Sequence, residues 1–458
     1  MTTVLSEKLR SLNPATGEVV GEVAVTPPEE IPAAVEVARV AQTAWGRLSL
    51  EQRVKLMKPA GAKLAELSHE IGALLTREMG KPLAEAVGEV KYCGGGLADE
   101  LDEIAAALQP DVLEDDKVRS FVHHDPFGVC AAITPWNFPV AMPHSMVIPA
   151  LVAGNAVILK PSEETPLTAQ AYADVLNEFL PKGVLTVVHG ADEQGKALVN
   201  ADVDLIAFTG SRETGKKILG SAAQGLKRVI LELGGKDPMI VLDDADLEKA
   251  AKFAVHNSFR NAGQVCVSTE RIYVANEVAD KFEDLMARMT SEIEVGEGTR
   301  KGVTVGPMIN STQRAHVIEQ INAALDQGAR LVEGPREHPE HFVIPTVLSD
   351  LKPDMSIMRD ETFGPVACIN RFKSIDEAVQ MANDTPFGLG AIVFGQNEER
   401  AVEVARRLDA GMIGVNKSCG GASGAPWVGA KESGYGFHSS RDGHRQFTQA
   451  RVVSTPKS

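Results

Sequence analysis

The sequence predicts an α/β protein made of two open, parallel-stranded units with a small β element beside them. Three observations lead there. Between residues 129 and 231 the short runs Val129–Ile133, Ala156–Leu159, Val184–Val188, Leu205–Phe208 and Val229–Leu231 are apolar throughout and are separated by stretches of helical spacing. Strands without polar alternation are buried on both faces, as in a parallel sheet covered by helices on each side. The same rhythm resumes after Glu232, with Met239–Leu242, Arg271–Val274, Ala391–Phe394 and Met412–Val415. By contrast, Lys117–His124 alternates and reads as an exposed strand set apart from the main sheet.

Along the chain, Asn13-Pro14-Ala15-Thr16-Gly17 reads as a turn, and helices are expected to dominate from there to about residue 108. Thr26-Pro27-Pro28-Glu29 and Ser49-Leu50-Glu51-Gln52 have capping-box spacing, the first with proline at the opening position, and Ser374-Ile375-Asp376-Glu377 repeats the pattern ahead of Ala378–Ala382. Gly420–Pro426 is the most loop-like segment. The tail Gln446–Val453 has the pattern of an edge strand, which invites pairing with another subunit.

Composition narrows the function classes. At 458 residues the chain exceeds one ordinary core, so two large domains are expected. A net charge of −16 with no basic block argues against nucleic acid or an anionic membrane surface as partner. The first eighteen residues lack a signal-peptide core, and the apolar run Met146–Leu159 is broken by Pro149, Gly154 and Asn155. A cytoplasmic location is expected. Cys93, Cys130, Cys266, Cys368 and Cys419 are odd in number and far apart, which fits reduced thiols. His123-His124-Asp125 and Glu337–His341 have no register that turns ligands toward one point, so no metal site is expected.

In open α/β sheets, ligands bind beyond the carboxyl ends of the strands. Polar motifs stand at four of those ends: Thr134–Pro139 after Ile133, Lys160-Pro161-Ser162-Glu163 after Leu159, Thr209-Gly210-Ser211 after Phe208, and Glu232-Leu233-Gly234-Gly235 after Leu231. A cysteine alone is usually a small buried hydrophobe. Cys266, however, ends Asn261-Ala262-Gly263-Gln264-Val265-Cys266 at the close of the helical run Ala250–Phe259, with Ser268-Thr269-Glu270-Arg271 behind it. Such polar, close-packing neighbours suit a nucleophile. Glu232, at the end of a buried strand, suits a general base with a raised pKa. Asn137, held between Trp136 and Phe138 and flanked by prolines, can donate to an oxyanion. The fingerprint GxGxxG is absent. Gly210 and Ser211 instead offer a helix N-terminus and a hydroxyl to a diphosphate.

Seven motifs in this order, PWNFP (135–139), KPSE (160–163), FTGS (208–211), ELGGKDP (232–238), NAGQVC (261–266), ETFGP (361–365) and ANDTPFGL (382–389), resemble the aldehyde dehydrogenase superfamily along nearly the whole chain. The resemblance implies that Cys266 attacks the aldehyde to form a thiohemiacetal, that Asn137 and the Cys266 backbone N–H hold the alkoxide, and that Glu232 activates water on the resulting thioester. It implies cofactor contacts from Lys160 and Glu163 to the adenosine ribose, from Gly210 and Ser211 to the diphosphate, and from Glu361 to the nicotinamide ribose, with Trp136 and Phe363 in the same set. The implied architecture is a cofactor domain over 1–110 and 130–232, a catalytic domain over 233–425, and an oligomerisation element from 111–129 with 426–458. A homodimer or homotetramer follows from the same resemblance. Glu163 accepts from both ribose hydroxyls and repels a 2′-phosphate, so NAD is favoured, with NADP possible.

The sequence looks most like the succinate-semialdehyde dehydrogenase branch, whose substrate carboxylate is held by two arginines. Arg260 matches one, and Ser145 stands where the other is expected. Loss of one arm weakens carboxylate recognition by about 1.5–3 kcal/mol. The implied substrate pocket comprises Phe138, Met142, Ser145, Arg260, Val265 and Val267, and Ser145 beside the small residues of 420–424 predicts room for longer or bulkier aldehydes. Succinate semialdehyde, a broad range of aliphatic or aromatic aldehydes, and thiol-esterase chemistry on the same Cys266 and Glu232 stay open at this point.

Overall fold

The computed structural model describes residues 7–457; Met1–Ser6, the start of the segment expected to lack a signal peptide, and Ser458 lie outside it. Two parallel sheets and a three-stranded antiparallel sheet organise the chain. In the first, the strands run Arg228–Leu233, Leu205–Gly210, Val129–Ile133, Ala156–Lys160, Leu185–Val187 across the sheet, all parallel. Chain order therefore reverses on either side of Val129–Ile133. The crevice at such a reversal is where open sheets take ligands.

Why these strands are apolar on both faces is visible in their packing. Cys130, Ala132, Val157 and Leu159 face the helices Leu50–Glu66, Leu83–Ala107 and Ala141–Ala153. Val129, Ala131, Ile133, Ala156 and Ile158 face Ile31–Trp45 and Arg212–Gly225 on the other side. The second sheet orders Thr346–Ser349, Val366–Phe372, Thr269–Ala275, Asp237–Val241, Gly390–Phe394 and Met412–Val415 in parallel, with Arg330–Glu333 antiparallel at one edge. Its core joins Met239, Ile240, Ile272, Val274, Ile392 and Phe394 to the helix Leu247–Phe259.

Several local expectations need correcting. A hairpin, Lys8–Leu12 with Val19–Ala24, precedes the helices, and the Asn13–Gly17 turn is its connection, closed by Gly17 N–H donating to Asn13 O at 2.7 Å. The first capping box does not form: the Thr26 hydroxyl accepts from His189 N, and the α-helix starts only at Ile31 after a 3₁₀ turn over Pro28–Glu30. The second forms in full, with Ser49 and Gln52 bonding reciprocally at 2.8 and 3.2 Å. At the third, Ser374 caps Glu377 N, but the Glu377 carboxylate takes Lys373 N.

The tail is divided. Thr448–Pro456 lies along Val118–Pro126 and Asp111–Glu114 in the three-stranded sheet. Gly434–Tyr435 instead adds an antiparallel strand to the first sheet, with Gly434 opposite Glu232, and Trp427–Val428 pairs with Phe437–His438. Gly434–Tyr435 thus joins the first sheet, while Arg441 and Arg445, further along the tail, pair with Asp111 at the start of the three-stranded sheet. Among the described residues, no helix is long and apolar enough to cross a membrane.

Candidate active site

The loop carrying Asn137 is fixed from below by a buried ion pair. Lys81 reaches Glu89 at 2.6 Å and donates to Asn137 O at 2.9 Å, while the other oxygen of Glu89 accepts from Val140 N and Ala141 N and so caps the helix Ala141–Ala153. Both side chains are almost fully buried, so the pair persists because every charge is answered by a hydrogen bond. Asn137 Nδ2 in turn donates to Gln264 O at 3.0 Å. A carboxamide has two N–H donors, and this uses one.

Cys266 sits in a backbone that local propensity disfavours. After Leu247–Phe259, Asn261 and Ala262 both adopt left-handed dihedrals (φ 51° and 55°), followed by Gly263 at φ +70°. Each non-glycine residue there costs about 1–3 kcal/mol and persists only when its surroundings over-determine it. They do: Asn261 Nδ2 donates to Asn137 O, Gln264 Nε2 to Asn261 O, and Gln264 Oε1 accepts from Ile309 N. Behind the thiol, Asn257 holds Val267 O and Thr269 Oγ1. At Gly263 the backbone of Gly364 comes so near that an added Cβ would stand 2.0 Å from its oxygen. The cysteine is therefore placed by a strained, cross-braced loop beyond the helix rather than by the helix end.

Glu232 closes the strand Arg228–Leu233 and is 4% exposed. Burial pushes its carboxyl up to about 7, and the Trp427 indole, the Cys266 thiol and the Thr209 hydroxyl pull back only in part. Trp427 Nε1 donates to Glu232 Oε1 at 3.3 Å, and among the described residues nothing lies within hydrogen-bond geometry of Oε2, the Cys266 thiol and Thr209 hydroxyl being its near neighbours. Burial and the neighbouring Glu232 raise the Cys266 thiol well above the usual thiol range. At neutral pH the resting sulfur is thus protonated, and its proton must leave for it to act.

One chamber of about 290 Å³ brings Trp136, Asn137, Met142, Gly210, Ser211 and Glu232 together with Cys266, Glu361 and Phe363. It continues, through shared walls at Pro135, Trp136 and Thr209–Ser211, into a cleft of about 470 Å³ that reaches Lys160 and Glu163. Ser211 is the N-cap of Arg212–Gly225, accepting from Thr214 N at 3.3 Å. Lys160 donates to Pro161 O and lies 3.7 Å from Glu163. Trp136 meets Phe363 edge-on at 5.5 Å. Glu361 Oε1 accepts from Gly235 N at 3.0 Å, and burial with the charge of Glu270 raises its carboxyl to about 8. This elongated cleft, with a helix N-terminus midway and carboxylates toward both ends, fits a dinucleotide.

The substrate-side residues divide. Phe138, Val265 and Val267 form an apolar collar round the thiol with Leu389, Met412, Cys419 and Trp427. Ser145 turns its hydroxyl back to Met142 O at 2.9 Å, and Arg260 has a buried Nε without a hydrogen-bond partner among the described residues; neither lines the chamber. The sequence reading missed Trp427, Lys81 and a second buried ion pair, Lys236 with Glu270. Glu270 accepts from Thr362 N and Phe363 N, and so sets the loop that carries Glu361 and Phe363.

Comparison with known proteins agrees with this arrangement. The profile of the aldehyde dehydrogenase family matches residues 2–453. The chain is 40% identical over 449 residues to the mitochondrial succinate-semialdehyde dehydrogenase of Arabidopsis thaliana, covering 96% of this chain and 85% of that protein. It is 38% identical over 455 residues to the NADP(+) succinate-semialdehyde dehydrogenase of Escherichia coli K12, covering 98% and 94%. The crystal structure of an NAD-dependent aldehyde dehydrogenase from Sinorhizobium meliloti superposes with a TM-score of 0.94 at 35% identity, covering 98% of this chain and 91% of that one. Both NAD and NADP are therefore used among its relatives. On sequence, on fold and on the full length of the match, this chain belongs to the aldehyde dehydrogenase family and is an oxidoreductase acting on aldehydes.

Proposed function

We propose that the protein oxidises an aldehyde to the free carboxylic acid with NAD or NADP, using Cys266 as nucleophile, Asn137 as oxyanion donor and Glu232 as base. The observation that carries this is the meeting of the three side chains in one chamber that opens into the dinucleotide-shaped cleft. Sγ of Cys266 bonds to the aldehyde carbon, its proton leaving toward Glu232, and the carbonyl pair moves onto oxygen. The second N–H of Asn137 and the Cys266 backbone N–H stabilise that oxyanion. A bound nicotinamide supplies the acceptor for the hydride released as the carbonyl re-forms into a thioester. Glu232, having passed the thiol proton to solvent, then takes a proton from water, the water oxygen bonds to the acyl carbon, the C–S bond breaks to release the acid, and the proton on Glu232 returns to the thiolate. The balance is aldehyde, NAD(P)⁺ and water to acid, NAD(P)H and a proton.

NAD is read as the favoured cofactor, because the family resemblance puts Glu163, which lines the cleft, at the adenosine ribose, where its charge would repel a 2′-phosphate. For the substrate, the unanswered Arg260 Nε supports an aldehyde with a distal carboxylate, such as succinate semialdehyde. A second reading, longer or bulkier uncharged aldehydes, is favoured by Ser145 and by open space at Gly420, where an added Cβ would meet nothing within 4 Å. The location is read as cytoplasmic and the assembly as a homodimer or homotetramer, the exposed Thr448–Pro456 strand being the candidate contact.

The deciding experiment is NADH and NADPH formation across succinate semialdehyde, glutarate semialdehyde, a straight-chain series and an aromatic aldehyde. Preference for the semialdehydes, lost in Arg260→Ala, supports the carboxylate reading. Preference for uncharged aldehydes, with Ser145→Trp slowing the bulky ones, replaces it by the second. A clear preference for NADP overturns the reading of Glu163.

A further inference from the structure

Trp427 approaches the carboxylate from a segment that the base's own strand holds in place. Gly434 pairs with Glu232 across the sheet, Ser433 Oγ donates to Gly234 O at 2.7 Å, and Trp427 pairs with His438. The indole stacks on the His438 ring at 6.3 Å and 19° and is packed into the apolar collar around the thiol. Its N–H has one acceptor, Glu232 Oε1, 195 residues away in sequence. The result is an asymmetric carboxylate, with one oxygen bonded and the other buried without a hydrogen-bond partner among the described residues.

We propose that Trp427 is a positioning residue for the base: its N–H pins Oε1 of Glu232, so that Oε2 is the oxygen that takes the proton from water during thioester hydrolysis. The proposal rests on the reading of Glu232 as base. The pinned carboxylate is shielded from rotation by the stacked indole, and an N–H donated to a carboxylate favours its ionised form. Other titratable groups facing it are the Cys266 thiol, Glu361, on which the charge of Glu232 acts within the chamber, and His438 behind the indole. Tyr435, on the paired strand, is exposed.

The test compares parent, Trp427→Phe and Glu232→Gln as full-length protein with NAD and the fastest aldehyde of the panel, following the pre-steady-state burst of NADH and the pH profile of kcat. In Trp427→Phe the ring and its stack remain but the donor is gone. The expected result is a burst within about twofold of the parent and a steady-state rate about tenfold lower, the worth of one hydrogen bond to a charged group. The midpoint of the kcat profile should move up by about one-half to one pH unit. An unchanged steady-state rate and midpoint, or burst and steady phases falling together, overturns the positioning role. If Glu232→Gln turns over like the parent, the base reading itself fails. If it stalls after the burst while Trp427→Phe behaves as parent, the positioning role alone fails.

Discussion

Two loops meet at the thiol, and they are built in opposite ways. The loop 260–268 is buried and contorted, with consecutive left-handed residues, and it is braced both by internal bonds and by bonds to Asn137, Asn257 and Ile309. The loop 417–425 is largely exposed, with Lys417 Nζ donating to Gly420 O and Ala425 N to Ala422 O as its internal bonds. An added Cβ at Gly420 meets nothing within 4 Å, and one at Gly424 meets only Glu103 Oε1, at 4.0 Å. In the proposed mechanism the first loop holds the sulfur against the Asn137 amide and the Glu232 carboxylate within fractions of an ångström, and strain is tolerated there because several bonds oppose it. The second, which reaches the collar round the thiol through Cys419, is the side on which the proposed function puts the variable part of an aldehyde, where no such placement is needed. The proposed function thus puts chemistry on the braced side and selectivity on the open one.

One substitution made twice breaks the comparison most sharply if it is wrong. Gly263→Ala needs a positive φ and puts a methyl 2.0 Å from the Gly364 oxygen, part of a backbone that cannot swing aside. The expected outcome is a loss of about 2–5 kcal/mol, combining backbone strain with overpacking, seen as a lower Tm in thermal unfolding. Activity should fall further, by more than about 100-fold, since misplacing the sulfur by an ångström costs that much on its own. A variant with parental Tm and rate would show that the loop is not braced as described.

An intermediate effect concerns pH. Glu232 acts as a base only when ionised, and its carboxyl is pushed up to about 7 by burial. The rate of thioester hydrolysis is therefore expected to rise with pH through about 7 and to fall tenfold per unit below it, which single-turnover measurements from about pH 5.5 to 9 can check. Because the cause lies on the braced side, changes in 417–425 should leave the midpoint where it is. A midpoint near the ordinary carboxylate range would mean that the chamber is wetter than its geometry implies.

How far these features were legible follows from how local they are. Glu232 and Asn137 stand inside short contiguous motifs at strand ends and Cys266 inside one that follows a helix, and the apolar runs that become the central strands are contiguous too. The hairpin of 8–24 was not, because its strands are short and partly polar, with Lys8, Arg10 and Glu22 paired on its exposed face. The Thr26 box looked local but was decided by His189, a residue 163 positions away. Lys81, Trp427 and the Lys236–Glu270 pair act through partners that only the folded chain brings near. Ala262 gives no sign in sequence of a left-handed backbone, because its conformation is imposed by neighbours and opposed by its own side chain.

The smallest effect is the most discriminating. Gly420→Ala puts the same methyl into the other loop, at a backbone without positive φ and with no atom within 4 Å. Alanine there narrows the unfolded ensemble without straining the folded one, so the change is expected to be neutral or to stabilise by up to about 1 kcal/mol. Its sign is opposite to that at Gly263. Catalysis of short aldehydes should stay at the parental rate, while KM for the longest or bulkiest accepted aldehyde rises, because the methyl takes up space on the substrate side only. If Gly420→Ala instead lowers kcat for every aldehyde alike, the open loop takes part in placing the reacting groups, and the division between a braced catalytic side and a permissive selective side fails.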